Sequence, residues 1–316
     1  MKKSLFLLAL LFSSCNFPSP AEPTSSAVET QISPTQTTTP TVPPTFTLLP
    51  PTQTPTSTPI PCNPLSADYC ITAGSFLFQR PILPPDNDKV DITYLYASTQ
   101  NGARDPHHGV EFQNPFGTSV YAAGDGVVVF ADSDKMTKFS PWTNFYGNVV
   151  IIHHAGDFYT LYAHLSNISV TAMSDVKAGD KVGEVGQTGG ATGSHLHFEV
   201  RLGSDFSEYF STQNPELWLI PRENTGTLSI TLQMESERNI ERPLVVTRFF
   251  DGNPDPVFKY YLTSYAKGFE HNTEDAVLGS LPPGQYEVAF NDVTGLKKRL
   301  IQVEAGKLTE VVFQVK

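Results

Sequence analysis

Seven of the 8 histidines fall between residues 107 and 197, and the eighth is His271. His107-His108-Gly109-Val110-Glu111 sets an imidazole and a carboxylate four residues apart, and His195-Leu196-His197 sets two imidazoles two apart. In an extended strand residues of equal parity share a face, so each pair can point into one groove. Two neutral imidazoles and one carboxylate make a three-ligand site of mixed nitrogen and oxygen donors that suits a divalent ion and leaves a fourth position for water. Either pair alone is what a surface or satisfied core histidine would give. Both together, with His164 in Tyr162-Ala163-His164-Leu165 between them, point to one site.

The elements that must hold these residues read as strands. Ser119 to Ala131, Asn148 to Ala155, Asp157 to Leu165 and Leu196 to Leu202 are β-type runs broken by Gly and Asn, and hardly any stretch has helical periodicity. The glycines of Val176 to Gly186 punctuate a further strand pair, expected as a hairpin. Near Gly226 a second run of strands begins. Leu228, Ile230, Leu232 and Met234 alternate, and Leu244 to Phe250, Phe258 to Ser264, Tyr286 to Phe290, Leu300 to Val303 and Val311 to Val315 follow at sandwich-like spacing. The fold class expected is therefore all-β.

His107-x-Gly109-x-Glu111, Tyr162-Ala163-His164-Leu165 and His195-Leu196-His197, in that order on β-rich sequence, resemble the motifs of the LytM/lysostaphin-type zinc endopeptidases. The resemblance covers roughly residues 90 to 203. Pro115 to Ala123, Gly147 to His154 and Gly186 to Gly189 are similar to the stretches that surround those motifs. The resemblance implies an antiparallel β-barrel or sandwich with a long groove. It also implies that His107, Glu111 and His197 bind Zn2+, that His164 and His195 are a catalytic pair off the metal, and that the substrate is the peptide part of peptidoglycan. Glu111 stands where the family normally has Asp. Leu281 to Val288 is similar to transthyretin-like or carboxypeptidase-regulatory-like accessory domains, and the C-terminal strands are expected to form a transthyretin-like or Ig-like β-sandwich.

Smaller expectations attach to neighbouring residues. His108 reads as a groove-wall or solvated residue, and His153 and His154 as supports of their strand and of the site's surroundings. The loop from Asp132 to Tyr146 carries Phe139, Trp142, Phe145 and Tyr146, which either pack or line substrate. Arg104 serves either an anionic substrate group or a surface ion pair.

The rest of the chain bounds the setting. With 316 residues it exceeds the usual size of a single core. Its 21 Lys+Arg against 32 Asp+Glu give a formal charge of −11, which offers no footprint for a phosphate backbone, so nucleic acid is not an expected partner. Lys2 and Lys3, the apolar run Leu5 to Phe12 and the small residues before Cys15 read as a secretory signal. The Phe12-Ser13-Ser14-Cys15 ending resembles a bacterial lipobox, which implies a lipid anchor to the membrane at Cys15, with plain cleaved secretion or a retained anchor as the alternatives. Residues 16–61 hold 12 Pro and 13 Thr with Glu22 and Glu29 as the only charges, a composition that builds no core and reads as a spacer. Cys62 and Cys70, close in sequence and in an oxidising compartment, are expected to form a disulfide.

The organisation expected is a signal peptide at 1–14, a lipidated Cys15 and Pro/Thr-rich linker at 15–61, a LytM-like metallopeptidase domain at 62–222 and a β-sandwich at 223–316. The leading functional reading is an extracytoplasmic zinc endopeptidase acting on peptidoglycan. Its alternative is a non-catalytic lipoprotein that uses the same groove to bind peptidoglycan or to activate another hydrolase. A lipoyl- or biotinyl-carrier reading of residues 176–186 fails because it lacks a Met-Lys-Met-like attachment tip and leaves the histidines unexplained.

Overall fold

A computed structural model describes residues 62–234 and 241–315; the leader, Cys15 and the Pro/Thr-rich spacer lie outside the described residues. Pro59–Lys316 cluster as one compact unit. The described residues are nearly all β, with 3-10 turns only at Tyr209–Ser211 and Pro215–Leu217. Cys62 and Cys70 are joined as a disulfide.

The site rests on a seven-stranded sheet. Its central strand, His195–Leu202, is antiparallel to Phe158–Ala163 on one edge and to Val110–Gln113 on the other, and Thr212–Gln213 extends that second edge. Beyond Phe158–Ala163 come Asn148–His153, Gly126–Ser133 and Asp175–Val176. Val149, Val150, Ile151 and Ile152 are all fully buried, because both faces of the sheet are covered and the strand needs no polar side. Parity sorts the side chains. Val150, Ile152, Tyr162, Leu196, Phe198 and Val200 enter one core, whereas Val149, Ile151, Tyr159, Leu161 and Ala163 enter a smaller one on the opposite face.

Two expectations change here. Ser119 to Ala131 divides into Ser119–Tyr121 and Gly126–Ser133, which belong to different sheets because the chain turns between them. Asp175–Val176 and Lys181–Glu184 are not a hairpin. The first pairs with Gly126–Ser133, the second with Ser119–Tyr121 and Asn167–Ile168, and the turn between them bonds to Ala122 from both Gly179 and Asp180.

The C-terminal strands form two four-stranded sheets around a common core. One runs Cys70–Thr72, Leu308–Val315, Gly226–Met234, Ala276–Leu281, and the other Asn253–Thr263, Pro243–Phe250, Gly284–Asp292, Gly295–Val303. Leu228, Ile230 and Leu232 from the first meet Leu244, Val246, Tyr286 and Val288 from the second, as the alternation requires. The outer strand Cys70–Thr72 comes from far upstream, so the chain enters through this half of the unit.

The connection between Asn253–Thr263 and Ala276–Leu281 leaves these sheets and inserts behind the histidine cluster. Its Tyr265 and Phe269 belong to the core of the site-bearing sheet, where both pack edge-on against Tyr96 at 5.3 and 5.1 Å and Phe269 also meets the His108 ring at 4.8 Å. The Ala266 N–H donates to the Ala97 carbonyl. Ala97 N–H in turn donates to the His107 carbonyl, and His107 N–H to Ser98. The C-terminal half thus holds the backbone of a site residue. Phe269→Ala is expected to lower unfolding free energy by about 3–5 kcal/mol, the cost of a large buried aromatic, measured by denaturant titration. A loss below about 0.5 kcal/mol, typical of exposed positions, would show that the insertion is not part of the core.

Candidate metal centre

Strand register brings the ligating atoms together. Glu111 lies directly opposite His197, and His197 is opposite Ala163 on its other side, one residue before His164. His107 precedes the Val110–Gln113 strand and reaches the same point. Gly109 is needed between them, because a Cβ there would stand 2.5 Å from the Phe198 carbonyl oxygen and 2.8 Å from the His197 ring. His107 Nε2, His197 Nδ1 and Glu111 Oε1 are separated by 2.9, 3.1 and 3.2 Å, and all three side chains are buried.

Outer partners orient the rings. His107 Nδ1 lies 3.0 Å from the Tyr94 carbonyl, and the ring stacks on Tyr94 at 3.9 Å and 6°. His197 Nε2 lies 3.0 Å from Glu199 Oε1. A neutral imidazole that donates its outer N–H to such an acceptor turns a lone pair inward. With both rings neutral, as in a metal-bound site, three electron-pair donors would converge on a cation; without the ion a proton on His197 balances Glu111 instead. Burial alone would raise the Glu111 carboxyl, yet His197 and His107 beside it hold it well below the usual carboxylate range. Burial likewise opposes a charge on His197, but Glu111 and Glu199 outweigh it and push its pKa up to about 9. The second Glu111 oxygen is 2.9 Å from His195 Nε2 but off the line of a hydrogen bond, which leaves a buried acceptor to be satisfied. Donor types, spacing and this orphaned oxygen all fit a divalent metal ion.

His164 and His195 stand beside this cluster with ring centroids 4.9 Å apart. His164 directly follows the Phe158–Ala163 strand with φ +61°, a strained conformation for a non-glycine residue, held by its N–H donating to the Tyr146 carbonyl. Its Nδ1 meets the Thr188 carbonyl at 2.9 Å, and His195 Nδ1 meets that of Gly193 at 2.9 Å. Each ring therefore spends Nδ1–H on the backbone, which leaves Nε2 as its other nitrogen; that of His195 stands 2.9 Å from Glu111 Oε2. Burial pushes the His164 pKa down to about 3, so it is neutral near pH 7.

Behind His197 lies a network that the motif reading missed. Fully buried Glu199 accepts from His197, from the Tyr146 hydroxyl and, at 2.7 Å, from Arg201 Nε, while Arg201 also donates to Tyr146 Oη and to the Phe139 and Phe206 carbonyls. Burial disfavours a charged Glu199, but Arg201 and His197 bring its pKa down to about 2. The sequence did carry a signal: His195, His197, Glu199 and Arg201 alternate with Leu196, Phe198 and Val200, putting four polar residues on one face of a buried strand. Glu199→Gln is expected to weaken metal affinity about 10–100-fold, the usual cost of removing a partner of a ligating histidine, measured by chelator competition. Unchanged affinity would separate the network from the metal centre.

The cluster opens into a cavity of about 660 Å³. Of the loop aromatics, Phe139 and Tyr146 are buried in packing, whereas Trp142 and Phe145 line the cavity wall. His108 also lines it; the ring is buried against Tyr209, not solvated, and burial pushes its pKa down to about 3. Arg104 is exposed at the rim over the Tyr94 ring, at 4.9 Å. His153 stacks on Tyr159, and His154 bonds to Asp125 and Thr160, so both serve their strands and neither touches the ligating residues through these partners. His271 bonds to the Thr212 carbonyl at 2.7 Å.

Residues 105–208 match the family model described as Peptidase family M23. The peptidoglycan DD-endopeptidase ShyA of Vibrio cholerae serotype O1 is 44% identical over 95 residues, 30% of this chain and 20% of that protein. The DD-carboxypeptidase/endopeptidase Mpg of Neisseria meningitidis serogroup B is 45% identical over 96 residues, again 30% and 20%. The chain thus spans about a fifth of the length of these curated relatives. Among solved structures, the catalytic domain of the antimicrobial peptidase lysostaphin from Staphylococcus simulans aligns with 46% of this chain and 89% of its own, at 28% identity and a TM-score of 0.31.

Proposed function

Taking as premise that residues 105–208 form an M23-type peptidase domain, we propose that this protein is a zinc-dependent endopeptidase that hydrolyses peptide bonds of peptidoglycan. The observation that carries the reading is the convergence of His107, Glu111 and His197 beside the His164 and His195 pair in one open cavity. His107, Glu111 and His197 would hold the ion. A zinc ion in such a site polarises a carbonyl oxygen and makes water more acidic.

The chain's own groups supply the rest. His195 and His164, each with Nδ1–H tied to a backbone carbonyl, offer Nε2 to the cavity. One takes the proton of the attacking water, and the other stabilises the developing oxyanion or returns a proton to the leaving amine. Tyr94 and Glu199 fix the faces and tautomers of the ligating rings, and the Arg201–Tyr146 pair keeps Glu199 ionised and still. Trp142 and Phe145 give the cavity an apolar wall against which a peptide can lie.

The test is digestion of purified peptidoglycan with and without a chelator, the products identified by mass spectrometry. Newly cut cross-linking peptides that vanish with chelator and return with zinc support the reading, and an intact polymer under zinc loading overturns it. The division into residues 62–222 and 223–316, with the latter as a transthyretin-like or Ig-like module, belongs to the same proposal. So does tethering at the outer face of a membrane through an acylated Cys15. Wild type is expected in the membrane fraction and Cys15→Ala in the soluble one, and equal release of both would rule out the anchor.

A further inference from the structure

A second pocket, of about 390 Å³, lies where the segment before His107 meets the edge strand Asn253–Thr263 and its neighbour Pro243–Phe250. It is continuous with the metal cavity in its lining, because Thr93 and Gln100 contribute to both. The two differ in chemistry. The metal cavity is rimmed by Asp91, Arg104 and Asp105, whereas among the described residues the second pocket is lined by no charged side chain, with Lys259 Nζ standing beside it 5.2 Å over the Tyr261 ring. Hydroxyls and carboxamides from Thr93, Ser98, Gln100, Asn101 and Thr263 share the lining with an apolar wall that includes Leu95, Leu244 and Leu262, next to the Tyr261 ring, which is 70% exposed and carries Lys259 over one face.

A hydroxyl-rich, uncharged ligand matches such a lining. Carboxamides and hydroxyls both donate and accept, as sugar hydroxyls and acetamido groups require, and a tyrosine ring offers a large rigid face at small entropic cost. The pocket's walls are also fixed relative to the metal centre. Thr99 Oγ1 donates to the Glu241 carboxylate, with its oxygens at 2.9 and 3.0 Å, and Ala97 is bonded on one side to Ala266 and on the other to His107. A ligand seated on Tyr261 therefore lies at a set offset from a peptide in the metal cavity.

We propose that this pocket is a subsite for the neutral sugar chain that carries the peptide, so that the C-terminal sheets help to align glycan-borne substrate with the metal centre. The proposal rests on the peptidoglycan reading above. Its test uses the full chain as wild type, Tyr261→Ala and Tyr261→Trp, with three probes: intact peptidoglycan, cross-linked peptides freed of glycan, and a soluble β-1,4-linked N-acetylglucosamine oligomer. Tyr261→Ala is expected to lose about tenfold in kcat/KM on intact peptidoglycan, equivalent to about 1.4 kcal/mol, to match wild type on the glycan-free peptides, and to lose oligomer binding, while Tyr261→Trp retains all three. Equal effects on both substrates, or no effect on either, would overturn the subsite. If wild type cleaves neither substrate, the peptidase reading has failed on its own, and oligomer binding decides the subsite: binding abolished by Tyr261→Ala upholds it, and no binding by wild type overturns it.

Discussion

His195→Ala and His164→Ala are expected to keep the metal and to lose on the order of a hundredfold to ten-thousandfold in turnover, the range for removing a positioned acid or base. Both rings spend Nδ1–H on a backbone carbonyl, Gly193 for one and Thr188 for the other, and neither belongs to the three-residue cluster of converging ligand atoms. Metal analysis together with single-turnover rates on peptidoglycan checks this. Loss of the metal in either variant would move that histidine into the ligand set. Full activity without it would remove it from the chemistry.

The second large effect concerns the ligands. His107→Ala, His197→Ala and Glu111→Ala are each expected to abolish stoichiometric metal binding, since two protein donors hold a divalent ion poorly against water. Glu111 is the informative position, because the resemblance leads one to expect Asp there. Its carboxylate reaches both His107 and His197 from a residue directly opposite His197 in the sheet, so the longer arm is accommodated by this chain's geometry. Glu111→Asp is accordingly expected to retain some metal without gaining activity, since a misplacement near 1 Å costs on the order of a hundredfold. A more active Glu111→Asp variant would mean that the glutamate marks drift from catalysis.

The core of the site was legible because its information is local. His195-Leu196-His197 is short enough for strand parity to predict a common face, and the all-β reading followed from runs such as Asn148 to Ala155, whereas His107 lies ahead of the Val110–Gln113 strand and meets Glu111 from the segment before it. What was not legible depends on distant pairings. Tyr146 and Glu199 are 53 positions apart, and nothing in the aromatic loop distinguishes the buried Tyr146 from the cavity-lining Phe145 before the loop is folded. Tyr94 carries no motif, yet it stacks under a ligand. Ser119 to Ala131 looked like one strand because its apolar pattern runs through the turn that sends its halves to different sheets. The insertion of Tyr265 and Phe269 behind His107 joins segments more than 150 residues apart by packing and by the Ala266–Ala97 hydrogen bond, which is hidden from any reading of periodicity.

The central claim is that His107, Glu111 and His197 form one metal centre with His164 and His195 beside it and not on it. Anomalous diffraction at the zinc edge from crystals of the zinc-loaded protein tests this most directly. One strong peak bonded to His107 Nε2, His197 Nδ1 and Glu111, with no peak bonded to His164 or His195, is the predicted result. A peak ligated by His164 or His195, or no ordered zinc within this cluster, would contradict it.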